Sequence, residues 1–234
     1  MASLAPVAQK LSKEHYVIRF LKVLSVGLLA LAIALLSAGC GSGSTQVRLM
    51  NAMNGESSVN MLIANSAVAS GVVYGTASSY AKASSGSQTV QIQSGGVTLL
   101  NSSLSFSGGN NNTVLATDSG ATVFTDDRST PPTNDIEIRV INASNSLGPA
   151  DVYVVPSNTT DISTIPPTAT LAFQAASNYI QLAAGSYEVL LTQSTSKNVI
   201  IDSNPLSLSA GQVRTVVSLD GNGVFSTAVL SDLN

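Results

Sequence analysis

Tryptophan is absent from these 234 residues, cysteine and histidine occur once each, and only 10% of residues carry a charge. Each scarcity removes a class of explanation. A single cysteine, Cys40, excludes an intramolecular disulfide, so any domain must be held by apolar burial and needs on the order of 90 residues to achieve it. The single histidine, His15, precedes Cys40. No imidazole follows to activate a serine, no Gly-x-Ser-x-Gly elbow appears, and zinc lacks its usual donors. Four of the ten Lys and Arg and one of the thirteen acids fall within residues 1–39, leaving six cations against twelve acids. Such a chain cannot build the basic stripe that tracks phosphates, which excludes nucleic acid as a partner. Long apolar runs are equally scarce. One stands out, the sixteen uncharged residues from Val23 to Ala38, short of the roughly 20 that cross a bilayer.

That run follows Lys10, Lys13, Arg19 and Lys22 and ends in small residues, the pattern of an export signal. Its last residues, "LLSAGC" (Leu35 to Cys40), resemble the lipobox of bacterial lipoproteins, in which the chain is cut before a cysteine that then carries acyl chains. The resemblance implies a membrane tether through acyl chains on Cys40, the lipid-attachment residue, since several chains anchor stably where one is marginal. An uncleaved span and an ordinary secretory signal with an incidental cysteine are the alternatives. "GSGST" (Gly41 to Thr45) has the composition of a flexible leash. Glycine rather than aspartate after the cysteine implies, by the same resemblance, a lipoprotein of the outer membrane in a two-membrane cell envelope.

The remainder says everything twice. "VRLMNA" (Val47 to Ala52) recurs as "IRVINA" (Ile138 to Ala143), and "YGTASSYAKASSGSQTVQI" (Tyr74 to Ile92) as "FQAASNYIQLAAGSYEVLL" (Phe173 to Leu191). "LSFSGGNNNTVLA" (Leu104 to Ala116) recurs as "LSLSAGQVRTVVS" (Leu206 to Ser218). Order is kept while the offset grows from 91 to 102 residues, the signature of a duplicated unit with small insertions. Within each copy the period is two: Ile136, Ile138 and Val140 alternate with Glu137, Arg139 and Ile141. Runs of this kind, broken by Gly, Asn, Ser and Pro, predict half-buried antiparallel strands, about seven per copy. "LDGNG" (Leu219 to Gly223) reads as a hairpin turn. The expected fold is all-β: two tandem antiparallel β-sandwiches, immunoglobulin-like in the loose sense, after an N-terminal signal helix. The expected boundaries are a signal peptide at 1–39, a tether at 40–45, a first repeat at 46–125, a linker at 126–135 and a second repeat at 136–234.

"IRVINASNSLGPADVYVV" (Ile138 to Val155) followed by "NYIQLAAGSYEVLL" resembles the domain of unknown function 4397 family, and the likeness extends over 46–232. It implies exported bacterial proteins built of one or more β-rich units. Many members carry histidine where this chain has Asn51 and Asn142, so any role of that histidine is absent here.

Candidate functional residues are few. The acids Asp126 and Asp127 and the pair Asp220 and Asn222 lack the ligand run of a calcium loop, so no metal or other cofactor is expected. Lys82 near Ser85 and Lys197 near Ser196 are formal Ser-Lys pairs in Ser-rich stretches that read as surface. Tyr80 and Tyr179, and Tyr74 and Phe173, recur at matched positions, which favours packing over stacking on a ligand. "SNTTDISTIPPTAT" (Ser157 to Thr170) is longer than its counterpart, and long loops on rigid sheets concentrate binding. Asp161, Ile162, Ile165, Pro166 and Pro167 are its candidate binding residues; a tolerated insertion is the alternative. The composite expectation is a non-enzymatic, lipid-anchored binding or adhesion module with an envelope protein or glycan as partner. A self-associating structural component is the alternative, and an envelope hydrolase is a more remote one.

Overall fold

The computed structural model describes residues 43–233. The expected signal peptide with its helix, residues 1–39, and Cys40 lie outside the described residues. Ser42–Asn234 form one compact unit; among the described residues its regular structure is all strand apart from one 3-10 turn.

The first copy contains β1 (Ser44–Ala52), β2 (Ser58–Ile63), β3 (Ser66–Val73), β4 (Ala81–Ser84), β5 (Gly86–Ser94), β6 (Val97–Phe106), β7 (Asn111–Thr117) and β8 (Gly120–Asp126). The second repeats them as β9 (Asp135–Asn142), β10 (Ala150–Pro156), β11 (Ala169–Leu171), β12 (Ile180–Ala183), β13 (Gly185–Gln193), β14 (Val199–Asp202), β15 (Leu206–Leu208), β16 (Val213–Leu219) and β17 (Ser226–Leu233). The single strand β6 corresponds to two, β14 and β15, because Pro205 interrupts the second copy. Eight and nine strands thus replace the expected seven or so.

Each copy folds as two sheets. The first has β4-β1-β7-β8 facing β3-β2-β5-β6; the second has β12-β9-β16-β17 facing β11-β10-β13-β14, with β15 also on β13. Most pairs are antiparallel, as expected, but β1 lies parallel to β7 and β9 parallel to β16. The chain between the members of each parallel pair forms the whole opposite sheet, the long crossover that parallel strands require.

Three apolar layers separate the four sheets. Val47, Leu49, Met61, Ile92 and Val114 fill the first sandwich, and Ile138, Val140, Val152, Leu191 and Val216 fill the second. A third layer joins the copies. Met50 and Leu115 from the first pack with Ile141, Val217, Leu219 and Leu230 from the second. This layer corrects the expectation of half-buried strands. All seven residues of β7 are buried, as are the last six of β1, because both faces of the β1–β7 sheet meet another sheet. Arg139 and Ile141, expected on the solvent side, are buried as well. The segment joining the copies is shorter than the polar stretch: β8 extends through Asp126, which is buried, and β9 starts at Asp135.

Candidate functional site

The third layer contains charge as well as apolar surface, and the repeat dictates its arrangement. Arg48 on β1 and Arg139 on β9 occupy matched positions, as do Asp126 and Asp232, Tyr80 and Tyr179, and Thr113 and Thr215. Each arginine crosses to the other copy. Arg48 donates through one terminal nitrogen to Asp232 and through the other to the Ser231 carbonyl at 2.8 Å. Arg139 donates to Asp126 at 2.6 Å and to the Thr125 carbonyl at 2.9 Å. The Nε atoms stay within their own copies, on Thr113 at 2.8 Å and Thr215 at 3.0 Å. Such reciprocity, where one patch meets itself, is the mark of a two-fold contact.

Tyrosines complete both halves. Tyr80 donates to Asp126 and Tyr179 to Asp232, each at 2.7 Å, and each ring lies beneath its own copy's guanidinium, at 4.7 and 4.8 Å. Thr113 and Thr215 hydroxyls donate to the same carboxylates. Both carboxylate side chains are fully shielded from solvent. Burial, then the Asp126 charge, pushes the Tyr80 phenol far above its usual range. Burial does the same for Tyr179 against the opposing pull of Arg139. Both phenols therefore remain proton donors at physiological pH. Buried charges pay a desolvation penalty, which opposite partners and additional hydrogen bonds offset here. This constellation locks two copies together. The matched tyrosines pack, as expected, and also hold the lock in place.

Asn51 and Asn142 are buried, and each organises the loop after its own strand. Asn51 accepts from the Met53 amide and donates to Val72 O; Asn142 accepts from Ser144 and donates to Gly148 O at 2.8 Å. Asp220, weighed as a metal ligand, accepts from the Ser146 amide at 2.6 Å. Asn222 sits in the 3-10 turn between β16 and β17, and its amide donates to Asn54 across the copies at 2.9 Å. Asp126 belongs to the lock, whereas Asp127 accepts from Ser129 beside it. Lys197 is held by the Ile165 carbonyl and lies 4.6 Å above the Tyr153 ring. Lys82 lines an open groove of about 310 Å³ with Ile63, Val68, Ser84 and Gln88; Ser85 is not part of it.

The long second-copy loop has a structural cause. On the outer face of the β10–β13 sheet, Leu190 stands where the first copy has Gln91, beside Tyr153 and Val155. Ile162 folds over these residues and is buried with them, and Ile165 packs alongside. Of the candidate binding residues, Ile162 is therefore an anchor and Ile165 half-buried; Asp161, Pro166 and Pro167 form the exposed ridge. Asp161 accepts from the amide and hydroxyl of Ser163.

Open space recurs between the copies. A groove of about 340 Å³ runs past Gly75, Ala77, Ser78, Leu230 and Ser231, with Arg48 at its base. At the two-fold related position Gln174 stands where the first copy has Gly75 and bonds to Thr117 and Thr122. A second cleft of about 170 Å³ lies at one end, among Asn54, Glu56, Tyr74 and Asn222. The Tyr74 hydroxyl is buried there against the backbone of Asp220 and Gly221, and burial, then the Asp220 charge, raises its pKa.

These features define a class first: a tandem all-β unit whose two sandwiches are fused face to face through an ionic, two-fold interface. The chain belongs to the Domain of unknown function (DUF4397) family, which it matches over residues 45–153 and again over 138–234. No curated protein matches its sequence. Among solved structures it is similar to CBMbc (family CBM26) from Eubacterium rectale Amy13K, crystallised in complex with maltoheptaose. The two are 7% identical, with 80% of this chain and 96% of that chain covered and a TM-score of 0.28. A likeness that slight assigns no ligand to this chain.

Proposed function

We propose that this is an exported, non-catalytic binding or adhesion module of the cell envelope, tethered to the outer membrane by acyl chains on Cys40. Its ligand in this reading is an envelope protein or glycan. The observation that carries it is the polarity of the unit. The chain enters at Gly43, where Ser85 and Gly109 donate to the Gly43 and Ser44 carbonyls. The cleft around Asn54, Tyr74 and Asn222 lies beyond the other end of the nine-residue β1, roughly 27 Å away at about 3.3 Å per residue. A tethered module presents its distal end, and here that end carries a cleft lined by Asn54, Glu56, Tyr74 and Asn222. The ridge of Asp161, Pro166 and Pro167 is a second available surface, held rigid by Ile162 and so costing little entropy on binding.

Labelled fatty acid should enter the protein, and Cys40→Ala should release it or leave an uncleaved precursor. Photocrosslinkers at Asn54, Asn222 or Pro166 in intact cells should capture an envelope component that one at Gln91 does not. Normal processing and membrane retention of Cys40→Ala would contradict the tether. Absence of any adduct would favour the second reading, a self-associating structural component, which the uncovered edge of β6 supports.

A further inference from the structure

The outer edges of the two copies differ in a way their shared ancestry does not require. In the second copy the edge breaks into β14, which ends at Asp202, and β15, with Asn204 at φ 58° and Pro205 between them. Charge, proline and short length are how sheets prevent their edges from pairing with other chains. The cognate edge of the first copy has none of these. β6 runs ten residues, "VTLLNSSLSF", without charge, proline or glycine. It pairs on one side with β5 and closes the sheet; among the described residues no other segment hydrogen-bonds to its free side.

We propose that β6 pairs with β6 of a second copy of this chain, antiparallel and centred on Ser102. The strand is complementary to itself in that register. Its regular part starts after a bulge opposite Ile92 and Gln93. From there Leu100, Ser102 and Leu104 face the sandwich, while Asn101, Ser103 and Ser105 are exposed. Centring on Ser102 places Leu100 opposite Leu104 of the other copy, and the reverse, on the inner face. Both leucines are half-buried against the first core, so pairing covers apolar surface that the edge leaves open. Asn101 meets Ser103 on the outer face, and cross-strand pairs of matched polarity stabilise a sheet. A parallel pairing of the same edges would turn one sheet over and set leucines against serines.

Orientation follows. Phe106 pairs with Gly86 at the end where the chain enters, and Val97 pairs with Ser94 at the other. Antiparallel pairing therefore puts the two Gly43 entry points at opposite ends of the joined sheet. Given the tethered reading above, upright copies pair between two facing membranes rather than within one.

The test uses the chain from Cys40 onward. Sedimentation equilibrium should show a monomer–dimer equilibrium. The exposed substitutions Asn101→Lys with Ser103→Lys place lysine opposite lysine and should weaken the dimer at least about tenfold. Asn101→Glu with Ser103→Glu should do the same, and mixing the two variants should restore pairing. Coupled through Cys40 to a maleimide lipid, the unsubstituted protein should cluster vesicles and the lysine variant should not. A monomer at every concentration, or a dimer indifferent to both variants, overturns the pairing. Dimers that never cluster vesicles overturn the bridging orientation. Because coupling is chemical, neither result depends on acylation in the cell.

Discussion

Asp232→Asn examines the lock at its most informative point. The substitution keeps the side-chain volume but removes the charge that pairs with Arg48 and replaces an acceptor of Tyr179 and Thr215. A guanidinium would be left among buried groups without its carboxylate. Removing one partner of a buried pair costs about 3–5 kcal/mol, a large share of a typical stability of about 5–15 kcal/mol. A double-mutant cycle with Arg48→Met separates the pair from its surroundings. The Arg48–Asp232 coupling should reach about 2–3 kcal/mol, whereas the cycle for Arg48 with Asp126 should give under about 1 kcal/mol, because those groups lie 3.8 Å apart within one copy. Urea unfolding followed by circular dichroism supplies the free energies. A loss below about 1 kcal/mol for Asp232→Asn, or a larger coupling within a copy than between copies, would refute the argument.

Trypsin should cut after the exposed Arg128, yet the nicked halves should co-elute in gel filtration until denaturant is added; spontaneous separation would show that the lock is weak. Ile162→Ala should cost about 2 kcal/mol or more and raise binding of an apolar dye over Tyr153 and Leu190, whereas an unchanged melt would mean that the loop covers nothing. Asp151 holds Thr170 at 2.6 Å and the Thr195 amide at 2.9 Å, and the Thr170 hydroxyl leads in drawing its pKa below the ordinary value. A depressed carboxylate stabilises the fold above its unfolded pKa of about 3.9, and that contribution is lost as pH falls through the folded value. Asp151→Asn should therefore flatten the acid limb of the stability–pH curve below about pH 4, and an unaltered limb would contradict the assignment.

The repeat and the strands were legible because period-two patterning and recurring strings are properties of consecutive residues. The third layer was not, since it depends on which outer faces meet. Arg139 alternates with Ile138 and Val140 as a solvent-facing charge would. Its signal was indirect: in a chain with few cations, one arginine, one tyrosine and one aspartate recur at the same repeat positions. The parallel pairs were hidden because alternation carries no strand direction. The loop's asymmetry was visible, but its cause lay elsewhere, in the unbroken apolar run Val152 to Val155 and in Leu190 replacing Gln91. Together these mark a sheet apolar on both faces, which needs a cover.

Calorimetry of residues 43–234 tests the central claim, that two copies of one sandwich form a single unit through reciprocal Arg–Asp pairs, most directly. One transition whose calorimetric and van't Hoff enthalpies agree is predicted. Two resolved transitions, each unmoved by Asp126→Asn or Asp232→Asn in the other copy, would contradict it.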